Sequence, residues 1–210
     1  MIEIQAPRAH GRSLLLAGAM IVCLAPGAAP VGPGVTRTRL PDHRLGPLET
    51  GKTTERSAVQ RLGEGLKYPL PWGTGRCWSE EHLMLCAAFA QGKLYAVSLQ
   101  REGSLPAPAT RFLRGPDGKK RLPSPSGLQA KMKPSLFLDR IVTETGLGTD
   151  STERDVLAAL GSPHELVGTK PPFRFIYRST REKDPACAGR CMATYTLNRG
   201  RLISIYLRAE

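Results

Sequence analysis

The chain has 210 residues, and its 30 lysines and arginines outnumber the 18 aspartates and glutamates, which gives a formal net charge of +12. Hydrophobic residues make up 40% of the sequence, enough for a packed core, and this excludes a wholly disordered chain. No apolar run approaches the roughly 20 residues that span a bilayer, which excludes a polytopic membrane protein. The length allows one large domain or two small ones.

The first 30 residues have the layout of a secretory signal peptide. A basic stretch around Arg8 and Arg12 precedes the apolar run Leu14–Ala25, and small residues and prolines follow it. The run is shorter than an ordinary transmembrane helix, so an uncleaved anchor or a buried helix is the less favoured alternative. Cys23 raises a lipoprotein alternative, but Val22 stands where such signals carry glycine or alanine. We therefore expect a periplasmic or secreted protein that does not span the membrane after processing.

Export leaves the mature chain with an even number of cysteines. Cys23 departs with the signal, and the four that remain are Cys77, Cys86, Cys187 and Cys191. In an oxidising compartment such cysteines are expected to pair. Three connectivities are possible, and we favour the two local pairs, Cys77 with Cys86 and Cys187 with Cys191, because each closes a short loop. A four-cysteine zinc site is the alternative, but its usual C-x-x-C spacing is absent, so we expect no metal and no cofactor.

The sequence is similar to itself at two places. Thr54–Gly63 reads TERSAVQRLG and Thr152–Gly161 reads TERDVLAALG, and five of these ten positions are identical. Phe89–Leu99 likewise matches Leu197–Leu207. Self-similarity of this kind predicts repeated structural units.

The repeat divides the mature chain into three parts. The predicted units are residues 31–102 and residues 135–210. Between them, residues 103–134 are rich in proline, glycine and basic residues, which is typical of an extended linker. An ordered hairpin around Gly115–Gly118 is the alternative for this linker.

Each unit is predicted to begin with a helix of about ten residues. Thr54 and Thr152 suit the N-cap position, with an acidic residue in the first turn. Gly63 and Gly161 stand where a glycine commonly ends a helix, and apolar residues before them recur at helical spacing.

The segments after each helix are predicted to be strands. Those rich in β-branched and aromatic residues are Phe173–Arg178, Met192–Leu197 and Arg201–Leu207, and glycine-containing turns fall at Gln91-Gly92 and at Asn198–Gly200. Alternation predicts one buried face, formed by Ile203, Ile205 and Leu207 with Tyr95, Val97 and Leu99 in register. The predicted fold class is α+β, with two repeated units, each a short helical segment packed on one face of a small antiparallel sheet.

This arrangement of helix, glycine and hairpin resembles the BamE-like superfamily, which also includes the β-lactamase inhibitory protein, a tandem pair of such units. The residues that carry the resemblance are Gly51–Gly63 with Gly92–Val97, and Gly148–Gly161 with Gly200–Ile205. These short motifs suggest a fold rather than an activity. The resemblance implies a secreted, non-enzymatic binding module, and it identifies no partner-binding residue.

One motif raises a nucleotide-binding alternative. Gly46–Thr53 (GPLETGKT) matches the phosphate-binding pattern G-x-x-x-x-G-K-T. Such a loop needs a buried strand before it, but Val35–Leu45 is polar and interrupted by proline. The matching segment that begins at Thr152 has no Gly-Lys-Thr. We favour an ordinary lead into a helix, and an enzyme, either nucleotide-binding through this loop or an unrecognised hydrolase, is the alternative function.

Catalytic residues are not predicted elsewhere in the mature chain. Its histidines are His43, His82 and His164, and the last two are expected to be solvated loop residues. Serines and aspartates are plentiful, but the G-x-S-x-G pattern of hydrolases is absent.

The basic charge is the remaining hint about function. Without the charges of the signal, the chain keeps 28 positive and 17 negative residues, a net charge of +11. A cationic exported protein attracts anionic partners, whereas nucleic acid is not expected outside the cytoplasm. The predicted partner-binding residues are Arg174, Arg178 and Tyr206 on the open sheet face, with Lys119–Arg121 in the linker as a second basic patch.

These patterns predict a secreted or periplasmic, non-catalytic binding protein of the cell envelope. Its partner would be an unidentified envelope protein or an anionic envelope component, and both inhibition and envelope assembly stay open as roles. A generally basic surface without a specific ligand is the alternative interpretation of the charge.

Overall fold

The computed structural model describes residues 40–101, 131–187 and 189–209. The predicted signal peptide and nearly all of the predicted linker lie outside these ranges. The elements in chain order are β1 (Arg44–Leu45), β2 (Leu48–Glu49), α1 (Glu55–Leu62), β3 (Leu66–Leu70), β4 (Gly73–Glu80), β5 (Leu83–Ala90), β6 (Lys93–Arg101), a 3-10 helix (Leu138–Arg140), α2 (Glu153–Leu160), β7 (Glu165–Val167), β8 (Phe173–Thr180), β9 (Arg190–Asn198) and β10 (Arg201–Ala209). Within the described ranges, no helix is both long enough and apolar enough to cross a membrane.

Both helices form where the sequence predicts them. At the start of α1, the Thr54 hydroxyl accepts a hydrogen bond from the Ser57 amide, 3.2 Å away. Thr152 begins α2 with a capping box, in which the Asp155 carboxylate accepts a 2.8 Å hydrogen bond from the Thr152 amide. Hydrogen bonds from the Thr152 backbone and hydroxyl hold the pKa of Asp155 below its ordinary value. Each helix ends at a glycine with positive φ, as predicted.

Eight strands form one continuous antiparallel sheet in the order β3-β4-β5-β6-β10-β9-β8-β7. The two halves of the chain contribute four strands each. They meet where β6 pairs with β10, with Leu99 opposite Ile205 and Val97 opposite Leu207. The predicted fold class, with a separate small sheet in each of two units, is therefore wrong. Two separate sheets would leave β6 and β10 as edges with unpaired N–H and C=O groups, and their pairing satisfies both edges.

One shared core lies between this sheet and the segments that cover one of its faces, here called the inner face. The helices contribute four buried side chains to it, Ala58, Leu62, Val156 and Leu160. The β1–β2 hairpin contributes Leu45 and Leu48, the 3-10 helix contributes Leu138, and the loop before α2 contributes Ile141 and Leu147. The same cluster of contacts continues along the sheet from Trp78 on β4 to Tyr177 on β8. The two halves therefore bury their apolar surface together.

Two β-bulges decide which residues of the central strands reach the core. They fall at Tyr95 in β6 and at Ile203 in β10. Both residues are predicted to be buried, but both are only half-buried, and Leu94 and Leu202 enter the core in their place. An extra residue in one strand reverses the alternation on one side of the bulge. The predicted buried face is therefore correct after the bulges, at Val97, Leu99, Ile205 and Leu207. It is wrong at the two bulge residues.

Two-residue turns close the β5–β6 and β9–β10 hairpins, as the sequence predicts. The φ angles are +49° at Gln91, +76° at Gly92, +50° at Arg199 and +76° at Gly200. Two successive positive values are what a type I′ turn requires, and glycine adopts them without strain.

The four cysteines form two disulfides, and both predicted local pairs are confirmed. Cys77 and Cys86 lie opposite each other on β4 and β5, with their Cα atoms 4.2 Å apart. Cys187 and Cys191 close the end of the loop between β8 and β9, with their Cα atoms 5.7 Å apart. Disulfides persist in oxidising environments, so the protein belongs to such a compartment. Within the described part of the chain, no cluster of three or more His, Cys, Asp or Glu side chains could hold a metal ion.

Candidate functional site

The face of the sheet opposite the helices, here called the outer face, is closed at its centre. Ala88, Ala96 and Ser98 are almost inaccessible there, and Tyr206 is only 3% exposed. The space beside Tyr68 and Tyr206 measures about 10 Å³, which leaves no room for a ligand. The structure thus places Tyr206 within the packed outer face rather than on the open surface that the sequence predicts.

A larger pocket, of about 450 Å³, opens at the end of the outer face that β8, β9 and β10 form. Strand register brings two of its cations together, because Arg178 on β8 and Arg208 on β10 both lie opposite Met192 on β9. Arg190 lies two residues from Met192, on the same face of β9, and Lys183 lines the pocket from the loop between β8 and β9. We call the pocket lined by these four cations the basic pocket.

Neighbours on β7 and directly before it hold Arg178 in place. Its guanidinium Nη2 lies 2.7 Å from Glu165 Oε2, in an ion pair that is about half exposed on both sides. Its backbone N–H donates to Nδ1 of His164 at 3.2 Å. Because Nδ1 accepts this bond, a neutral His164 carries its proton on Nε2 and keeps that N–H as a donor. His164 also lines the basic pocket, and it is exposed as predicted.

Arg208 is positioned by two tyrosines. Its guanidinium carbon lies 5.8 Å from the centre of the Tyr95 ring, a cation–π arrangement. It also interacts with the hydroxyl of Tyr206. Burial raises the pKa of Tyr206 above its ordinary value, even though Arg208 acts in the opposite direction. Tyr206 therefore stays neutral at physiological pH. Its buried hydroxyl contacts Arg208, one of the cations of the pocket.

The loop that carries Lys183 is fixed at several points. The amides of Lys183 and Asp184 donate to the Thr180 carbonyl at 3.0 and 2.9 Å. The Asp184 carboxylate pairs with Nε2 of His43, and both residues are buried. The Cys187–Cys191 disulfide closes the other end of the loop. These contacts anchor the base of the Lys183 side chain, which itself stays exposed.

A network of buried hydrogen bonds beneath the loop connects the segment before β1 to the second half of the chain. Tyr195 on β9 donates from its hydroxyl to Asp42 Oδ2 at 2.5 Å, and the Thr145 hydroxyl donates to the same oxygen at 2.8 Å. Burial and the Asp42 charge raise the pKa of Tyr195 well above its ordinary value, so it remains a donor. The His43 amide donates to Glu144 Oε1 at 2.8 Å. This network lies on the inner face, away from the basic pocket.

The two predicted partner-binding arginines do not lie at the same site. Both are exposed on the outer face of β8. Arg178 lines the basic pocket, whereas Arg174 lies four residues away along the strand, about 13 Å, and does not line it. The predicted patch at Lys119–Arg121 lies outside the described residues.

Sequence reasoning missed Lys183, Arg190 and Arg208, although part of the signal was present. The alternation of β9 and β10 places Arg190 and Arg208 on the face of Arg178, but only the register of the strands shows that they converge. Lys183 depends on how its loop folds, and local patterns do not encode that.

The Gly46–Thr53 segment is folded as a hairpin and turn. Gly46 and Pro47 connect β1 to β2, and Lys52 Nζ lies 2.6 Å from Glu49 Oε1. The amides that a phosphate-binding loop would turn toward a nucleotide donate within the chain instead, from Gly46 to the Val142 carbonyl at 2.8 Å and from Gly51 to the Leu94 carbonyl at 2.7 Å. A cavity of about 330 Å³ lies beside this segment, but its amides are already engaged.

Comparison with known proteins adds one structural similarity. No protein-family model and no curated protein matches the chain. Among solved structures, the chain is similar to the crystal structure of a DUF4309 family protein, YjgB from Bacillus subtilis subsp. subtilis str. 168. The match covers 78% of this chain and 82% of that one, with 10% sequence identity and a TM-score of 0.39. A similarity at this level transfers neither a fold nor a function.

Proposed function

We propose that the protein is a non-catalytic binding protein of the cell envelope, periplasmic or secreted, and that it binds an anionic envelope component through the basic pocket. One observation carries this proposal, namely the convergence of Arg178, Lys183, Arg190 and Arg208 on a volume of about 450 Å³. Clustered cations raise the local concentration of anionic ligands and strengthen hydrogen bonds to them. The two disulfides support the extracytoplasmic location.

The architecture around the pocket supports a role in binding. Strands β8 to β10 supply three cations from a hydrogen-bonded sheet, and the fourth comes from a loop whose end is tied to β9 by a disulfide. The frame fixes the backbone from which the four side chains extend, and contacts with Glu165 and Tyr95 further restrict Arg178 and Arg208, which lowers the entropy cost of binding at these two cations. The resemblance to the BamE-like superfamily stays a prediction, and it favours the same class of function.

Cosedimentation of the purified chain with isolated cell envelopes tests the proposal. In the variant Arg178→Glu/Arg190→Glu the charge of the pocket is reversed on two adjacent strands, and we expect the affinity to fall by at least about tenfold. A matched control, Arg56→Glu/Arg154→Glu, makes the same change in net charge on the exposed sides of α1 and α2. Equal losses in the two variants would reject the basic pocket as the binding site.

A further inference from the structure

We infer that the basic pocket is a site for a phosphomonoester carried on a small organic group, an inference that rests on the proposed function of the same pocket. The nitrogen groups that line it are hydrogen-bond donors, on Arg178, Lys183, Arg190, Arg208 and His164. Arginine and lysine side chains donate and cannot accept, and neutral His164 offers its Nε2–H. None of the described residues that line the pocket carries a carboxylate, and Glu165 pairs with Arg178 from outside the lining. A ligand that matches this lining presents acceptors and negative charge.

The placement of the cations favours a phosphate over a carboxylate. Arg178, Arg190 and Arg208 come from three neighbouring strands, and Lys183 comes from a loop beside them. A carboxylate has two oxygens in one plane, so it presents its acceptors in a narrow range of directions. A phosphomonoester has three terminal oxygens that point in different directions, and it carries a charge of about −1.5 to −2 at neutral pH. It can therefore accept from several of these cations at once, with guanidinium groups binding pairs of its oxygens.

The size of the pocket favours an ester over inorganic phosphate. A water molecule takes about 30 Å³ in the liquid, and a phosphate group takes the space of only a few water molecules. A phosphate group alone therefore fills only a fraction of the pocket, which measures about 450 Å³. The rest of the lining includes Met192, Thr180 and Cys191 of the disulfide. An apolar thioether and a hydroxyl suit the carbon and hydroxyl groups of a compact organic carrier, such as a sugar.

Titration calorimetry with one carrier and three anionic groups tests the ligand class. The probes are glucose 6-phosphate, glucose 6-sulfate and glucuronate, which share a hexose and differ in charge and shape. We expect glucose 6-phosphate to bind at least about tenfold more tightly than the other two, because a dianion gains most from several cations. Inorganic phosphate is expected to bind more weakly than glucose 6-phosphate. Equal affinities for the three hexose derivatives would overturn the assignment to a phosphomonoester.

Variants show whether this binding belongs to the basic pocket. Lys183→Gln/Arg190→Gln removes two exposed cations, and we expect it to weaken glucose 6-phosphate binding by at least about tenfold. Arg174→Gln is a control that removes one charge, because Arg174 is exposed on the same face but lies outside the pocket. An equal loss in the control would mean that the general charge of this face is responsible, and the inference would fail.

A further arm identifies the source of the phosphate. Vesicles that contain phosphatidic acid present the same phosphomonoester on a lipid, so binding that the Lys183→Gln/Arg190→Gln variant loses would support the inference and indicate a lipid headgroup. Failure of the phosphomonoester assignment is distinguishable from failure of the proposed function. Envelope binding that needs the pocket, with no preference for glucose 6-phosphate, would retain the function and reject the ligand class.

Discussion

Arg76 shows at the residue scale how a buried charge ties a helix to the sheet. Arg76 on β4 is 8% exposed, and its Nε donates to Glu55 Oε1 of α1 at 2.9 Å. Its Nη1 donates to the carbonyl and the carboxylate of Glu64. The Thr74 hydroxyl donates to the second carboxylate oxygen of Glu55 at 2.7 Å. The guanidinium is tolerated in this setting because its Nε and Nη1 donate to two carboxylates and a carbonyl.

Replacement of Glu55 by glutamine is expected to destabilise the fold by about 1–3 kcal/mol at neutral pH, because Arg76 loses a charged acceptor. Burial raises the pKa of Glu55, but hydrogen bonds from Thr74 and Arg76 and the charge of Lys67 outweigh it, so the pKa lies below its ordinary value. A lowered native pKa stabilises the fold above the unfolded pKa, and that contribution is lost as the pH falls through the native pKa. Urea unfolding between pH 7 and pH 3 should therefore show the curves of the two proteins converging below about pH 4.

The exposed Glu64 provides the control for this prediction. Its side chain is 71% exposed, so Glu64→Gln should change stability by less than about 1 kcal/mol. Curves for Glu55→Gln and the original protein that stay parallel down to pH 3 would contradict the assigned role of the Glu55 charge.

Gly63, at the end of α1, is expected to be intolerant of a side chain. A Cβ there would lie 2.6 Å from the Lys131 carbonyl oxygen and 2.8 Å from the Lys133 amide nitrogen, and φ is +95°. Gly51 also has positive φ, at +75°, but a Cβ there meets nothing within 4 Å. We expect Gly51→Ala to cost about 1 kcal/mol for the left-handed backbone alone. Gly63→Ala should cost at least about 2 kcal/mol more in urea unfolding, and equal costs would show that the Lys131–Lys133 segment yields easily.

At the scale of elements, the two disulfides are expected to have different functions. The Cys187–Cys191 bond ties the C-terminal end of the loop that carries Lys183 to β9, whereas the Cys77–Cys86 bond joins β4 to β5 far along the sheet. The chain-entropy model assigns about 2 kcal/mol to the shorter loop and about 3 kcal/mol to the longer one.

Serine variants of each pair separate stability from binding. We expect Cys187→Ser/Cys191→Ser to weaken anion binding by about fivefold, because the loop of Lys183 loses one of its attachments. A fivefold change in affinity corresponds to the free energy of about one surface ion pair. Cys77→Ser/Cys86→Ser should lower the thermal midpoint and leave affinity unchanged in calorimetry at a temperature where both variants are folded. A loss of affinity in the second variant alone would contradict the assigned positioning role.

The elements differ in how far the sequence could predict them. The N-cap threonines, the terminal glycines and the Gly92 and Gly200 turns act through local chemistry, so both helices and two hairpins were predictable. The bulges at Tyr95 and Ile203 were not, because their position depends on the partner strand. Of the four cations that line the basic pocket, only Arg178 was predicted as a partner-binding residue. The other three could not be predicted, because strand register and the fold of a loop bring them together.

At the scale of the whole molecule, the pairing of β6 with β10 joins the two halves of the chain in one core. Leu99 and Ile205 face each other at this junction, and both are fully buried. Leu99→Ala is expected to cost about 2–5 kcal/mol, because it leaves a cavity at the centre of the shared cluster. Because the cluster is continuous, calorimetric unfolding should show a single transition in both the variant and the original protein. Two transitions, with only one shifted by the substitution, would contradict a shared core.

An anionic ligand is expected to bind this protein at the basic pocket. Amide chemical-shift mapping by NMR during a titration with glucose 6-phosphate tests it most directly. We predict saturable shifts concentrated at the pocket end of β8, β9 and β10 and in the loop of Lys183, with none of comparable size at Gly46–Thr53. Shifts centred on Gly46–Thr53, or spread evenly over the exposed arginines and lysines, would contradict this expectation.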